Sequence, residues 1–353
     1  MHTLLDMTLP EFQDLVKELG EPSYRASQIY GWLWAKGALS INAMTNLSLD
    51  LREKLAGCAT IAWPVIADTR ISRDGTVKFL LRLGDGSLVE TVLIPEPDHL
   101  TQCLSTQVGC ALGCSFCSTG AMGLTRNMSQ GEILGQVWAA RRYLAEQGDT
   151  RRLRNLVFMG MGEPLLNLDV LLNGLAILTD DKGLHFSYRR ITVSTVGVIP
   201  SLNRFGRSGL ASLAVSLHAP TQELRQRIMP RAAEAWPLDQ LMAALDAYPL
   251  RARQRITYEY ILLGGVNDSL KQAKDLVRLL GGRKAKVNLI AYNPPEGQAP
   301  CLDQDGMPYS PPATNTVAAF QQYLHDKGMT ATLRKSKGQD IGAACGQLLT
   351  SKQ

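Results

Sequence analysis

Cys110, Cys114 and Cys117 stand within eight residues, in the run Gly109-Cys-Ala-Leu-Gly-Cys-Ser-Phe-Cys-Ser118. This C-x-x-x-C-x-x-C spacing offers three thiolates converging on one point, with no fourth cysteine beside them. An iron–sulfur cluster normally takes four thiolates. A [4Fe-4S] cubane held by three keeps one iron open, and an open iron can bind a substrate chemically. Structural zinc loops pair one C-x-x-C with a second pair further on, and no second pair occurs here. The predicted metal ligands are therefore Cys110, Cys114 and Cys117. Cys103 and Cys345, read on composition alone, are packing residues, although small neighbours in Gly342-Ala-Ala-Cys-Gly-Gln allow close approach to Cys345. Cys58 and Cys301 have no evident role.

The elements that must position these cysteines change character along the chain. Residues 1–60 read as a helical accessory module. Thr8 and Glu11 form a capping-box pattern ahead of Phe12, Leu15, Val16 and Leu19. Further helices are predicted from Arg25 to Ala35 and from Ser48 to Ala56. Over 61–97 the period falls to two, and Asp74-Gly75 and Asp85-Gly86 are hairpin dipeptides, which predicts a three-stranded meander. Its last strand carries Glu90 among apolar neighbours, either on the exposed face or in a cleft with a raised pKa.

From 98 to 353 strand and helix alternate. Candidate strands are Leu100–Gln107, Asn155–Met159, Arg190–Ser194, Ser212–Leu217, Ile256–Leu263 and Lys286–Tyr292, with helices such as Ser129–Glu146 and Asp268–Leu280 between them. Six βα units imply an α/β fold with a parallel sheet. Periodicity does not separate an open doubly wound sheet from a barrel. Polar and glycine residues gather after successive strands: Gly162-Glu163, Ser194, Ser216-Leu217-His218 and Asn293. That is what a (β/α) barrel mouth needs, so a partial six-unit barrel is expected. The Pro294–Pro312 stretch reads as a long loop. Taken singly, Gly162 could be only a turn residue, Ser194 a strand-end hydroxyl, and His218 a core histidine.

Composition narrows the setting. Of 353 residues 45% are hydrophobic, ample for a large core. No apolar run is long enough to span a bilayer, and the N-terminus lacks a basic segment followed by an apolar one, so a cytoplasmic protein without membrane contact is expected. Seven cysteines, three of them clustered, fit a reducing compartment. The net charge of +5 is a mild bias, but arginines and lysines cluster in several runs, including Arg334-Lys335-x-Lys337. Together they favour a polyanionic substrate such as RNA.

Six ordered segments carry a resemblance: Ser105–Gly120 with its cysteines, Phe158-Met-Gly-Met-Gly-Glu-Pro-Leu-Leu-Asn167, Thr192-Val-Ser-Thr-Val-Gly197, Leu217-His-Ala-Pro220, Gly265-Val-Asn-Asp-Ser269 and Ala343-Ala-Cys-Gly-Gln-Leu348. The chain resembles the RlmN-type adenine methyltransferases of the radical S-adenosylmethionine (SAM) superfamily, with Cfr-type enzymes as relatives. The resemblance implies methyl transfer to adenine C2 in 23S rRNA, and in tRNA as well, using one [4Fe-4S] cluster and two SAM molecules per turnover. Adenine C2 is electron-poor and has no lone pair, so a radical route is needed.

The same resemblance implies the residue roles. Gly162, Glu163, Ser194, Ser216, Leu217, His218 and Asn293 grip SAM. Cys345 takes a methyl group from one SAM and links it to the base, Glu90 removes the ring proton, and Cys103 attacks Cys345 to release product as a disulfide forms. A monomer is expected, with a flavodoxin as electron donor. The Arg334-Lys335-x-Lys337 run would lie nearest the RNA backbone. The Met229–Pro237 stretch and the long Pro294–Pro312 loop depart from the family pattern. Pro164 and the Arg334–Gly338 run favour C2 over the C8 chemistry of Cfr-type enzymes. A non-catalytic, zinc-stabilised RNA-binding protein is the rival of a different class.

Overall fold

The computed structural model describes residues 1–294 and 299–350. Of the long loop expected at Pro294–Pro312, residues 295–298 lie outside the described residues. The rest has no helix or strand beyond an isolated bridge between Leu302 and Pro308.

The chain opens with β1 (His2–Thr3), followed by α1 (Leu9–Glu18), α2 (Tyr24–Trp34) and α3 (Leu49–Cys58). The short β2 (Ala59–Thr60) returns beside β1. Thr8 caps α1 as its sequence suggests: its backbone N–H and its hydroxyl both donate to Glu11 (2.6 and 2.7 Å). The apolar faces of these helices bury Phe12, Ile29, Leu33 and Trp34 completely. Trp34 meets Trp63 edge to face at 5.7 Å, a geometry that adds about 1 kcal/mol to the area it hides.

A single ten-stranded sheet follows. The meander β3 (Val65–Ile71), β4 (Val77–Arg82) and β5 (Leu88–Pro95) is antiparallel. Next comes β6 (His99–Cys103), then a small hairpin of β7 (Gln107–Gly109) and β8 (Leu124–Asn127), with α4 (Ser118–Ala121) inside it. Beyond α5 (Gln130–Glu146) lie β9 (Arg152–Phe158), α6 (Leu168–Thr179), β10 (Ile191–Thr195), α7 (Ile199–Ser208) and β11 (Ser212–Ser216). Three helices come next, α8 (Gln222–Ile228), α9 (Pro230–Ala235) and α10 (Leu238–Asp246). The chain then runs through β12 (Ile256–Leu262), α11 (Leu270–Leu280), β13 (Ala285–Ala291), α12 (Thr314–Asp326) and β14 (Ala331–Arg334).

The sheet order is β14-β13-β12-β11-β10-β9-β6-β5-β4-β3. From β6 to β14 neighbouring strands are parallel, with helices in the crossovers. This is the α/β architecture expected, with β14 as an unforeseen seventh parallel strand. Strand β6 pairs antiparallel with β5 on one side and parallel with β9 on the other, so the meander continues the core sheet.

Helix α5 fixes the start of the cysteine segment. Ser129 and Glu132 cap each other, with Ser129 N–H to Glu132 at 2.8 Å and Glu132 N–H to the Ser129 hydroxyl at 3.3 Å. Seven residues on, the fully buried Gln136 accepts from Ser105 N–H and donates to Ser105 O, both at 2.8 Å. The Ser105 hydroxyl donates to Glu90 O at 2.6 Å and accepts from Met161 N–H at 2.8 Å. One residue thereby joins the meander, the cysteine segment and the loop after β9.

The hairpin leading into the cysteines depends on Gly109, at φ 79°, where a Cβ would stand 1.9 Å from Gly123 O. Gly123 has a similar φ of 72° but open space around its Cα. Gly123→Ala is expected to cost about 1–2 kcal/mol, the left-handed penalty alone. Gly109→Ala should cost clearly more and loosen the cysteine loop. Urea unfolding of the two variants checks this, and equal losses would contradict it.

Candidate active site

The three clustered cysteines share one wall of a cavity of about 680 Å³ at the C-terminal ends of the parallel strands. Their loop is anchored by backbone bonds. Cys110 N–H donates to Gly123 O (2.9 Å), Cys117 N–H to Cys114 O (3.0 Å), and Ser115 N–H to Ile228 O (3.0 Å). Burial pushes Cys110 up to about 11, Cys114 well above the usual thiol range, and Cys117 upward as well. Thiols crowded in so dry a wall ionise only against added positive charge, which a bound metal group supplies. Among the described residues no three His, Cys, Asp or Glu side chains are grouped to hold a single metal ion. Three thiols on one short loop, with no fourth cysteine beside them in sequence, are a donor set that would fit a cluster with one open iron.

Strand-end residues line the same cavity: Gly162 and Glu163 after β9, Ser194 on β10, Ser216 on β11 and His218 just beyond it. At Gly162, with φ 97°, a Cβ would meet the Gln107 side chain at 2.5 Å, so only glycine lets the two loops touch. Glu163 is buried and accepts from Leu165 N–H (3.0 Å) and Val196 N–H (2.9 Å). Burial raises its pKa to about 7, against hydrogen bonds from Thr195, Val196 and Leu165. His218 accepts from Ile261 N–H at Nδ1 (3.0 Å), which leaves Nε2 as the protonated nitrogen. Burial, with Arg225 nearby, depresses its pKa to about 3, so the ring is neutral. The Ser194 and Ser216 hydroxyls stand 3.3 Å apart.

Cys103, at the end of β6, and Cys345, near the C-terminus, also line the cavity, and both are free thiols. Burial, with Cys345 adding to it, pushes Cys103 up to about 12. Arg334 ends β14 inside this cavity, its Nη1 3.7 Å from Met159 Sδ. The charge of Cys345, joined by Glu259, Cys103 and Glu96, holds the Arg334 cation firmly protonated against burial.

Residues 2–61 match the ribosomal RNA large subunit methyltransferase N-terminal domain, and residues 104–277 match the radical SAM superfamily. A dual-specificity RNA methyltransferase RlmN from Nitratidesulfovibrio vulgaris strain Miyazaki F is 56% identical, covering all of this chain and 95% of the relative. Another, from Solidesulfovibrio magneticus, is 58% identical over 99% of this chain and 96% of its own length. The crystal structure of a radical SAM methyltransferase from Sphaerobacter thermophilus superposes with a TM-score of 0.89, at 42% identity and 99% coverage of both chains. The chain belongs to the RlmN family of radical SAM enzymes.

Three residues expected at the RlmN site stand outside the cavity wall. Leu217 is buried in the core, and its N–H is spent on Glu259 O at 3.1 Å. Asn293 donates to Ala291 O (2.9 Å) and to the Ser336 hydroxyl (2.7 Å), while its carbonyl accepts from Gln347 (3.1 Å). Glu90 is buried against Lys78 at 2.9 Å and accepts from Leu349 N–H at 2.9 Å. Burial raises its pKa, with Lys78 and the Leu349 bond opposing. Asn293 and Glu90 thus both grip the segment that carries Cys345.

Lys78 was missed, although it and Glu90 share one face of an antiparallel pair. Leu80 faces Glu90 in the register, so Lys78 is its diagonal neighbour. The basic run before Cys345 lies together at the cavity: Arg334, Lys335 and Lys337 all line it, and Lys337 also bonds Pro95 O and lies 3.6 Å from Glu96. Among the described residues no helix is long and apolar enough to cross a membrane.

The raised pKa of Glu163 has a definite sign. The folded chain holds this proton more tightly than the unfolded one, so the contribution is full below the ordinary carboxylate range. It is lost as pH rises from 4.5 to about 7. Relative to Glu163→Gln, the cluster-free protein should lose about 3 kcal/mol across that window. Urea unfolding at several pH values measures the difference, and a difference independent of pH would contradict the assignment.

Proposed function

We propose that this chain is a radical SAM RNA methyltransferase that methylates adenine C2 in 23S rRNA and in tRNA. The observation carrying the reading is one cavity that holds the three-cysteine wall, the strand-end polar residues and both remaining cysteines of the scheme. A [4Fe-4S] cluster would be held by Cys110, Cys114 and Cys117 and, once reduced with SAM bound, would supply a carbon radical able to take hydrogen from a methyl group.

Glu163, Ser194, Ser216 and the neutral His218 surround the space for SAM with acceptors and hydroxyl groups suited to its ammonium and ribose. Gly162 provides close backbone approach. Leu217 and Asn293 support this wall from behind, one through the sheet and the other through the Cys345 segment. Cys345 takes a methyl group as its thiolate displaces S-adenosylhomocysteine. Arg334 lines the same cavity.

After hydrogen abstraction, the carbon radical on Cys345 adds to adenine C2 and tethers the RNA, and the adduct radical gives up one electron, for which the oxidised cluster would be the acceptor. Glu90 takes the ring proton. This requires Leu349 to leave its carboxylate, so the Cys345 segment shifts during turnover. The Cys103 thiolate then attacks the Cys345 sulfur, the bond from that sulfur to the ring-bound carbon breaks, and the departing carbon takes a proton from solvent, so the methylated base leaves as the disulfide forms. An external dithiol supplies the two electrons that reduce the disulfide between turnovers. The basic residues at the cavity rim suit RNA, whose target base must be unpaired to expose C2. A flavodoxin is the electron donor, the chain acts as a cytoplasmic monomer, and residues 1–60 form an accessory module for RNA.

Mass spectrometry of adenosines from RNA incubated anaerobically with enzyme, SAM and reductant tests the regiochemistry. The expected product is 2-methyladenosine; 8-methyladenosine alone would overturn the C2 assignment in favour of Cfr-type chemistry. Cys103→Ala should lose multiple turnover and accumulate a covalent RNA adduct that disappears in Cys103→Ala/Cys345→Ala. Unimpaired turnover by Cys103→Ala would remove Cys103 from the mechanism.

A further inference from the structure

Arg225, on α8, is fully buried. Its guanidinium donates to three backbone carbonyls: Val196 O (2.7 Å), Trp236 O (3.0 Å) and Ala232 O (3.3 Å). Its Nε is buried without a hydrogen-bond partner among the described residues. Among the described residues no carboxylate pairs with it, and burial lowers its pKa to about 10, with Cys114 opposing. A buried cation without a counter-ion is costly to retain.

The surrounding chain places this charge behind the metal ligands. One turn beyond Arg225, Ile228 O accepts from both Ser115 N–H (3.0 Å) and the Ser115 hydroxyl (2.9 Å). Arg231 donates to Ala111 O at 2.5 Å. The end of α8 and the start of α9 are therefore stitched to the loop between Cys110 and Cys117. Three thiolates leave a cubane with net negative charge, and reduction adds one more. Net charge near a cluster is among the factors that set its potential.

We propose that Arg225 is the buried counter-charge of the cluster held by Cys110, Cys114 and Cys117, and that it sets how readily that cluster accepts an electron. This rests on the cluster reading given under the proposed function. The carbonyl contacts hold the guanidinium in place, and Arg225 acts through the cluster as a positioning and tuning residue. It places a buried positive charge behind the thiols, on the side where Arg231 also bonds the cysteine loop.

The test is an anaerobic redox titration of the reconstituted full-length protein, followed by the electron paramagnetic resonance signal of the reduced cluster. Arg225→Gln removes the charge. Gln222→Glu adds an opposing charge one turn earlier, where Gln222 already bonds Ala233 O (2.9 Å) and Leu238 N–H (2.8 Å). Both should shift the reduction equilibrium toward the oxidised state, Arg225→Gln by about tenfold, or roughly 59 mV downward for one electron. Arg225→Lys keeps the charge but not the three-carbonyl fork, and should leave the potential near that of the parent. Unchanged potentials in Arg225→Gln and Gln222→Glu at full iron content would overturn the inference, as would loss of the cluster from both, which would make the residue a staple only. A parent protein without the signal would instead overturn the cluster reading itself.

Discussion

Two hydrogen bonds hold the segment carrying Cys345 against the loop carrying the other three cysteines. Ser118 N–H donates to Gly346 O at 2.7 Å, and the Thr119 hydroxyl donates to Leu348 O at 2.6 Å. These partners lie within three residues after Cys117 and Cys345, so the joint fixes one thiol relative to three others across more than half the chain. Every chemical reading of the cavity depends on that joint, because a carrier thiol is useful only within reach of the place where a radical forms.

The rest of the fold braces the same joint from the other side. Asp340 accepts from the Ser72 hydroxyl and Arg73 N–H, Asp74 accepts from Gly338 N–H, and Lys78 donates to Gly342 O. The meander is therefore a clamp for the C-terminal segment. Its buried Lys78–Glu90 pair has a purpose that stability alone would not give it, since a buried ion pair is weak support for a fold. Asn293 adds a third anchor through Gln347. A segment tied by several separate hydrogen bonds, each worth about 1 kcal/mol net, is ordered yet can be released stepwise.

Much of this was legible in the sequence where the signal is local. The cysteine spacing, the capping boxes at Thr8 and Ser129, and the alternation of the meander all mark features whose partners lie a few residues away. The six expected strands likewise match β6 and β9 to β13. What escaped depends on distant partners. Strand β14 is four residues long and ends in charge, so nothing local marks Ala331–Arg334 as a strand. Its pairing with β13 sets Arg334 on the cavity wall. Glu90 looked like a base facing a cleft or solvent, because the Leu349 N–H that occupies it lies 259 positions away. Arg225 carries no local mark that separates it from Arg227 and Arg231, and only the packing of α8 buries it.

The most direct measurement takes protein purified without oxygen, determines its iron and sulfide, and then supplies SAM with a strong one-electron reductant. The account predicts about four irons and four sulfides per chain, cleavage of SAM to 5′-deoxyadenosine and methionine, and loss of both in a variant with Cys110, Cys114 and Cys117 replaced by alanine. A colourless protein holding zinc, or an iron-loaded one that leaves SAM intact under reduction, would contradict it.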